Sequence, residues 1–283
     1  MPRLILRGLK VSEFIHPDEL QNKQKVENND SGVQSLIAKA TEWCTELLDP
    51  FTQGTFVKIN DTCAPDFMKV VSDVCTILEV EVPEVYVCHL MNTNVMPMGT
   101  DEKSYLVVPD YVLNTFDNEM LYYNVGNAIT MIKADHVGLT TLAAYMPGGS
   151  ILIEIPKMVF CAYLHAADAT SDRGGLLASQ SFAATARCQL YELGIPPKES
   201  RKYFTTDAEA ELFVENYLDS HKKILNKYDG IFNSAARQFQ RISYIEAPGN
   251  KMLSEIFKWY KDSNGYRAVM ARHGHDYLIE RRK

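Results

Sequence analysis

Two short β-branched runs bounded by turn residues, VPEVYVCHL at 82–90 and SYLVVP at 104–109, are followed by a chain whose apolar residues fall at helical spacing. Strands bury alternate side chains and helices bury every third or fourth, so this change of period separates a small sheet from a larger helical part. Two helices are also predicted ahead of the strands. Val33, Leu36, Ile37, Ala40, Trp43, Cys44, Leu47 and Leu48 share one apolar face, and Phe67, Val70, Val71, Val74, Ile77 and Leu78 share another. Asp117 is placed to cap a helix containing EMLYYNVGNAITMI (119–132). QSFAATARCQLYELGIPP ends with Gly194 and the pair Pro196 and Pro197, a stop signal, and Thr206 with Glu209 makes a capping box before AELFVENYL. The expected fold is α+β, mainly helical, with a small sheet in the N-terminal third.

The polar break ENNDSG (27–32) predicts an N-terminal arm over residues 1–32, a single domain over 33–270, and a basic C-terminal tail over 271–283 that ends in Arg281, Arg282 and Lys283. A composition of 46% hydrophobic and 23% charged residues suits a sizeable core. A net charge of -7 argues against nucleic acid as a partner, because phosphate neutralisation needs clustered Lys and Arg. Cys44, Cys63, Cys75, Cys88, Cys161 and Cys188 include no C-x-x-C pair, so reduced and mostly buried thiols are expected. MPRLILRGLKVSEF lacks the apolar run and cleavage site of a signal peptide. ILIEIPKMVFCAYL (151–164) contains Glu154, Pro156 and Lys157 and is shorter than the roughly 20 apolar residues of a membrane helix. A soluble, cytoplasmic protein without integral membrane insertion is expected; attachment to a membrane surface through 151–164 is the weaker alternative.

The stretch EMLYYNVGNAITMI has the surroundings of a metal-binding helix and none of its ligands. An H-E-x-x-H peptidase stacks two imidazoles on one helix face by their spacing of four, with a Glu beside the first to accept a proton from metal-bound water. Residues 117–135 contain no His at all. Gly126 admits two local readings: it packs closely against a neighbouring element, or it ends the helix early together with Asn124 and Asn127.

Five ordered segments carry a family resemblance: LRGLKVSEFIHPDE; LEVEVPEVYVCHLMNTNVMPMG, with N-x-x-x-x-G at Asn94 and Gly99; VVPDYVLNTFDNEMLYYNVGNAI; DATSDRGGLL; and APGNKMLSEIFKWYKDSNGYRAV. In these the chain resembles the soluble branch of the HtpX and CAAX-prenyl-protease type zinc metallopeptidases over most of its length. The resemblance implies a zincin-like metallopeptidase fold and a zinc cofactor. Carried across, it puts the family's first His on Gly126, its Glu on Asn127, its second His on Thr130 and its third ligand on Asp168, with Asp172 and Arg173 keeping an Asp-Arg pair. The first three cannot serve, so no catalytic residue and no metal ligand set is expected. The C-terminal segment departs too: Ala247-Pro248 stands where the family has His-Pro, and no Arg lies between Pro248 and Trp259.

The resemblance thus implies a catalytically inactive homologue, a pseudopeptidase acting through a protein or peptide partner as a scaffold or regulatory component. Asn94, Met96, Pro97 and Met98 are the candidate partner-binding residues, with Pro97 removing a donor from the edge strand that pairs with substrate in such peptidases. Asp168, Asp172 and Arg173 have a structural use without metal, holding helices together. The alternative is a metal-dependent peptidase with an unconventional or partner-completed site, in which His165, Asp168 and Asp172 lie at i, i+3 and i+7 and His136 approaches them. His273 and His275 are read as part of a solvated tail. No G-x-S-x-G and no phosphate-binding Gly-rich loop occurs.

Overall fold

A computed structural model describes residues 3–27, 42, 46, 49–89, 94–138, 140, 141, 157–227 and 248–277. The chain opens with β1 (Leu4–Leu6), a single 3-10 turn at Val11–Glu13 and α1 (Pro17–Glu27). The helix expected over 33–48 lies outside the described residues, apart from Glu42 and Glu46. After α2 (Asp49–Thr55) and β2 (Val57–Ile59), the apolar face between Phe67 and Leu78 appears as α3 (Pro65–Leu78), whose Val71, Val74, Ile77 and Leu78 are fully buried.

The two β-branched runs become β3 (Glu84–Cys88) and β5 (Ser104–Pro109), which pair in parallel, and β4 (Met96–Gly99) turns back against β5. With β2 antiparallel to β3, the sheet order is β2-β3-β5-β4. β5 is buried on both faces. Leu106 and Val108 join the main core with Val85, whereas Tyr105 and Val107 pack in a second cluster with Tyr86, Cys88 and Met98. This two-sided burial explains a strand that is apolar throughout instead of alternating.

Helices make up most of the remaining chain: α4 (Asp110–Thr115), α5 (Asn118–Lys133), α6 (Lys157–Ser179), α7 (Phe182–Glu192), α8 (Pro197–Ser200), α9 (Asp207–Lys227), α10 (Pro248–Lys261) and α11 (Tyr266–His273). The molecule is α+β and mainly helical. Asp117 caps α5, its Oδ1 accepting from Met120 N at 2.9 Å. The capping box before α9 is formed, with Thr206 N donating to Glu209 Oε2 at 3.1 Å and Glu209 N to Thr206 Oγ1 at 3.3 Å. Gly194, at φ +93°, closes α7 while Ile195 N donates to Leu190 O at 2.9 Å, the Schellman arrangement. Among the described residues no helix is long and apolar enough to cross a membrane. Residues 157–164 of the run at 151–164 are the first turns of α6, and 151–156 lie outside the described residues.

The residues read as an arm are built into the body. Leu6, Leu9 and Phe14 are buried in the main core, α1 packs on α6, and Arg3 Nε donates to Ser179 O at 3.1 Å. Burying side chains of this size stabilises by roughly 1.5–3 kcal/mol each, which outweighs the polar character of 27–32. The start of the region read as tail is also structured. β6 (Gly274–Tyr277) pairs antiparallel with β1, and His273 Nε2 lies 2.6 Å from Glu13 Oε2 instead of in solvent. The side chain of His275 and residues 278–283 lie outside the described part of the chain.

Candidate functional site

α5 and α6 approach so closely that side chains are missing where they cross. A Cβ on Gly126 would lie 2.4 Å from Ala178 Cβ, one on Gly174 would lie 1.8 Å from Thr130 Oγ1, and one on Gly175 would lie 2.9 Å from the Tyr123 ring. Of the two readings of Gly126, close packing is the one realised, and α5 runs on to Lys133. Thr130 is fully buried at the same crossing and donates to Gly126 O at 2.7 Å. Neither Gly126 nor Thr130 has a side chain available to a site at Asp168.

The face of α5 that meets the carboxylates lies three residues earlier. Tyr123 and Asn127, one turn apart, both reach Asp172: the phenol donates to Asp172 Oδ1 at 2.6 Å and Asn127 Nδ2 donates to the same oxygen at 2.8 Å. Asn124, beside Tyr123, accepts from Val95 N at 2.7 Å just ahead of β4. Asp168 lies one turn before Asp172 on α6. From α7, Gln189 Nε2 donates to Tyr123 Oη at 2.8 Å, and Glu192 Oε1 accepts from Asn94 Nδ2 at 2.8 Å.

Asp168 and Glu192 reach water, Asn94 and Asn127 do so partly, and Asp172, Tyr123 and Gln189 are buried. Protein nevertheless packs around both carboxyls. That crowding pushes the Asp168 carboxyl up to about 6, against the pull of His165 and His136. Crowding and the negative charge of Asp168 push Glu192 up to about 7, against its hydrogen bond from Asn94. Asp172 is driven well above the carboxylate range by burial and by Glu192, which outweigh its bonds from Tyr123 and Asn127. Three neighbouring carboxyls on α6 and α7 compete for charge.

The other sequence candidates fall to either side. Pro97 and Met98 are buried, Met98 in the second cluster, so their surfaces are not open to a partner; Met96 and Asn94 are partly open. Pro97 lies in β4, an edge strand, opposite Leu106. His136 is fully buried with Nε2 2.7 Å from Glu19 Oε1, and Thr170 Oγ1 donates to Glu19 Oε2, so these residues tie α1 to α6. Arg173 likewise serves structure, donating to Ile15 O at 2.8 Å.

Zinc, which the resemblance implies, does not fit this donor set. The phenol is spent as a donor to Asp172, the amide nitrogen of Asn127 is not a ligand, and among the described residues no three His, Cys, Asp or Glu side chains converge on one point. Sequence reasoning missed Tyr123, Gln189 and Glu192. The available signal was the run of polar side chains Tyr123, Asn124 and Asn127 at i, i+1 and i+4, one face of an otherwise apolar helix on which Gly126 offers no side chain. No family model matches the chain, and no curated protein or solved structure matches it significantly.

Proposed function

We propose that this chain is a non-catalytic relative of the HtpX and CAAX-prenyl-protease type zinc metallopeptidases that uses the cleft between β4, α5, α6 and α7 to bind a protein or peptide partner. The observation that carries the reading is the bonded set Tyr123, Asn127 and Asp172. Two residues four apart on one helix meet a carboxylate of the next, beside an edge strand, an arrangement that supports the reading because an H-E-x-x-H site uses the same spacing. In that frame the three motif positions are Tyr123, Asn124 and Asn127, three residues before the positions carried across from sequence. None is an imidazole or a carboxylate, and each side chain is already engaged in a hydrogen bond. The groups that would activate water have become struts.

A pseudopeptidase keeps the cleft and loses the chemistry. Asn124 fastens α5 to the segment entering β4, and Pro97 deprives that strand's edge of one donor, so a partner is held by side chains at the cleft more than by added strand pairing. The test is metal analysis of the purified protein together with cleavage of a mixed peptide library in the presence and absence of chelator. Zinc far below one equivalent and no chelator-sensitive cleavage are expected. Stoichiometric zinc that is lost in Asp168→Ala, together with chelator-sensitive cleavage, would overturn the reading in favour of a working peptidase.

A further inference from the structure

Asp168, Asp172 and Glu192 gather acceptors and negative charge without a matching lysine or arginine among the described residues. Asp168 on α6 and Glu192 on α7 reach solvent with Asp172 beneath them, and among the described residues no lysine or arginine bears on Asp168 or Glu192; only His165 and His136 oppose the charge at Asp168. α5 contributes the Tyr123 phenol and α7 the Cys188 thiol, both pushed toward their neutral forms by burial. Among the described residues, the segment before β4 contributes the neutral Asn94. A second observation is independent of the acid cluster. Gln189 is 1% exposed, its nitrogen is spent on Tyr123 Oη, and its Oε1 has no hydrogen-bond partner among the described residues. Asp172 Oδ2, in the same network, has none either. Leaving such groups unmatched is costly, and native folds seldom do so without a reason.

We propose that this face receives the guanidinium of an arginine side chain presented by a protein or peptide partner, with Asp168 and Glu192 as the receiving carboxylates and, behind them, the buried Tyr123 network in which one oxygen of Asp172 and one of Gln189 are unmatched. The proposal rests on the partner-binding reading and names the chemistry of that partner. A divalent cation needs several oxygens converging on one point at 2.0–2.6 Å, and the described residues hold no such group. A guanidinium spreads five N–H donors in a plane and suits acceptors that are dispersed over two helices, α6 and α7. Protons held by the carboxyls stand in for the missing cation. Its arrival favours their ionised forms, so binding releases protons and tightens as pH rises through about 6 to about 7.

The experiment is calorimetric titration of the full chain with acetyl-Ala-Ala-Arg-Ala-Ala-amide and with the same peptide carrying citrulline, which has the shape of arginine without its charge. The arginine probe is expected to bind at least about tenfold more tightly than the citrulline probe. It is expected to release protons on binding, and to lose about tenfold or more in Glu192→Gln. Equal binding of the two probes, no binding of the arginine probe, or an unchanged affinity in a folded Glu192→Gln protein overturns the proposal. So does stoichiometric displacement of the arginine probe by calcium or zinc chloride. The comparison of probes uses the unaltered protein, so misfolding of a variant leaves the test intact. Chelator-sensitive cleavage of the probe defeats the pseudopeptidase reading; loss of charge discrimination without cleavage defeats this proposal alone.

Discussion

The Tyr123 hydroxyl joins three helices. It donates to Asp172 on α6, accepts from Gln189 on α7, and belongs to α5, all without access to water. Tyr123→Phe keeps the ring and removes the hinge of that network, leaving Gln189 Nε2 without its acceptor and Asp172 with one donor fewer. A loss of about 1–3 kcal/mol is expected, the cost of unmet buried polar groups. Urea unfolding at pH 7 measures it, and a variant as stable as the parent would show that the network is incidental. At this scale the sequence was legible in part. Polar side chains at 123, 124 and 127 amid Val125, Gly126 and Ala128 marked a polar face on an apolar helix. Anchoring the motif on Gly126 concealed it, because a glycine required by close helix packing has no side chain with which to enter a cleft.

The α5–α6 crossing is the element that sets the distance between the two polar faces. Alanine is favoured over glycine by about 1 kcal/mol within a helix, yet a methyl group at 126 would stand 2.4 Å from Ala178 Cβ and 3.2 Å from Gly175 Cα. Overpacking of that kind costs typically 1–3 kcal/mol and more where backbone must move, so Gly126→Ala is expected to destabilise by at least about 1 kcal/mol. Adding Ala178→Gly should recover part of the loss, a coupling that a double-mutant cycle in chemical denaturation reads directly. Strict additivity would show that the methyl group is accommodated elsewhere. Elements with their own punctuation were legible: Asp117, Gly194, and Thr206 with Glu209 cap the helices they were expected to cap. β2 and β4 were not. Each is only three or four residues long, β4 contains both Pro97 and Gly99, and their pairing depends on β3 and β5 being present.

Across the whole molecule the least legible feature is the closure of its two ends. β1 and β6 are three and four residues long, too short to show a period, and the pairing of Leu6 with Gly274 spans nearly the entire chain. The closure carries a titratable pin. His273 Nδ1 lies 2.9 Å from Arg7 O and Nε2 lies 2.6 Å from Glu13 Oε2, so both ring nitrogens face acceptors and only the imidazolium can donate to both. The hydrogen bond with Glu13 and then that with Arg7 raise the His273 pKa above its ordinary value of 6.5. Burial acts to raise Glu13, but its bonds from His273 and Lys10 outweigh this and bring it below its ordinary value of 4.5. By linkage, the histidine contribution is complete below 6.5 and is lost as pH rises through the folded-state value, while the glutamate contribution is complete above 4.5 and is lost as pH falls. The clasp should therefore be firmest between those two values and loosen on the alkaline side. Hydrogen exchange at the Arg7 amide, which donates to His273 O at 3.1 Å, corrected for the intrinsic rate, should show protection declining from pH 6 to about 9 in the parent. In His273→Gln, which keeps a side-chain donor but cannot titrate, protection should be lower at pH 6 and nearly level with pH. Equal slopes in the two proteins would mean that the strand pairing holds the ends together without the imidazolium.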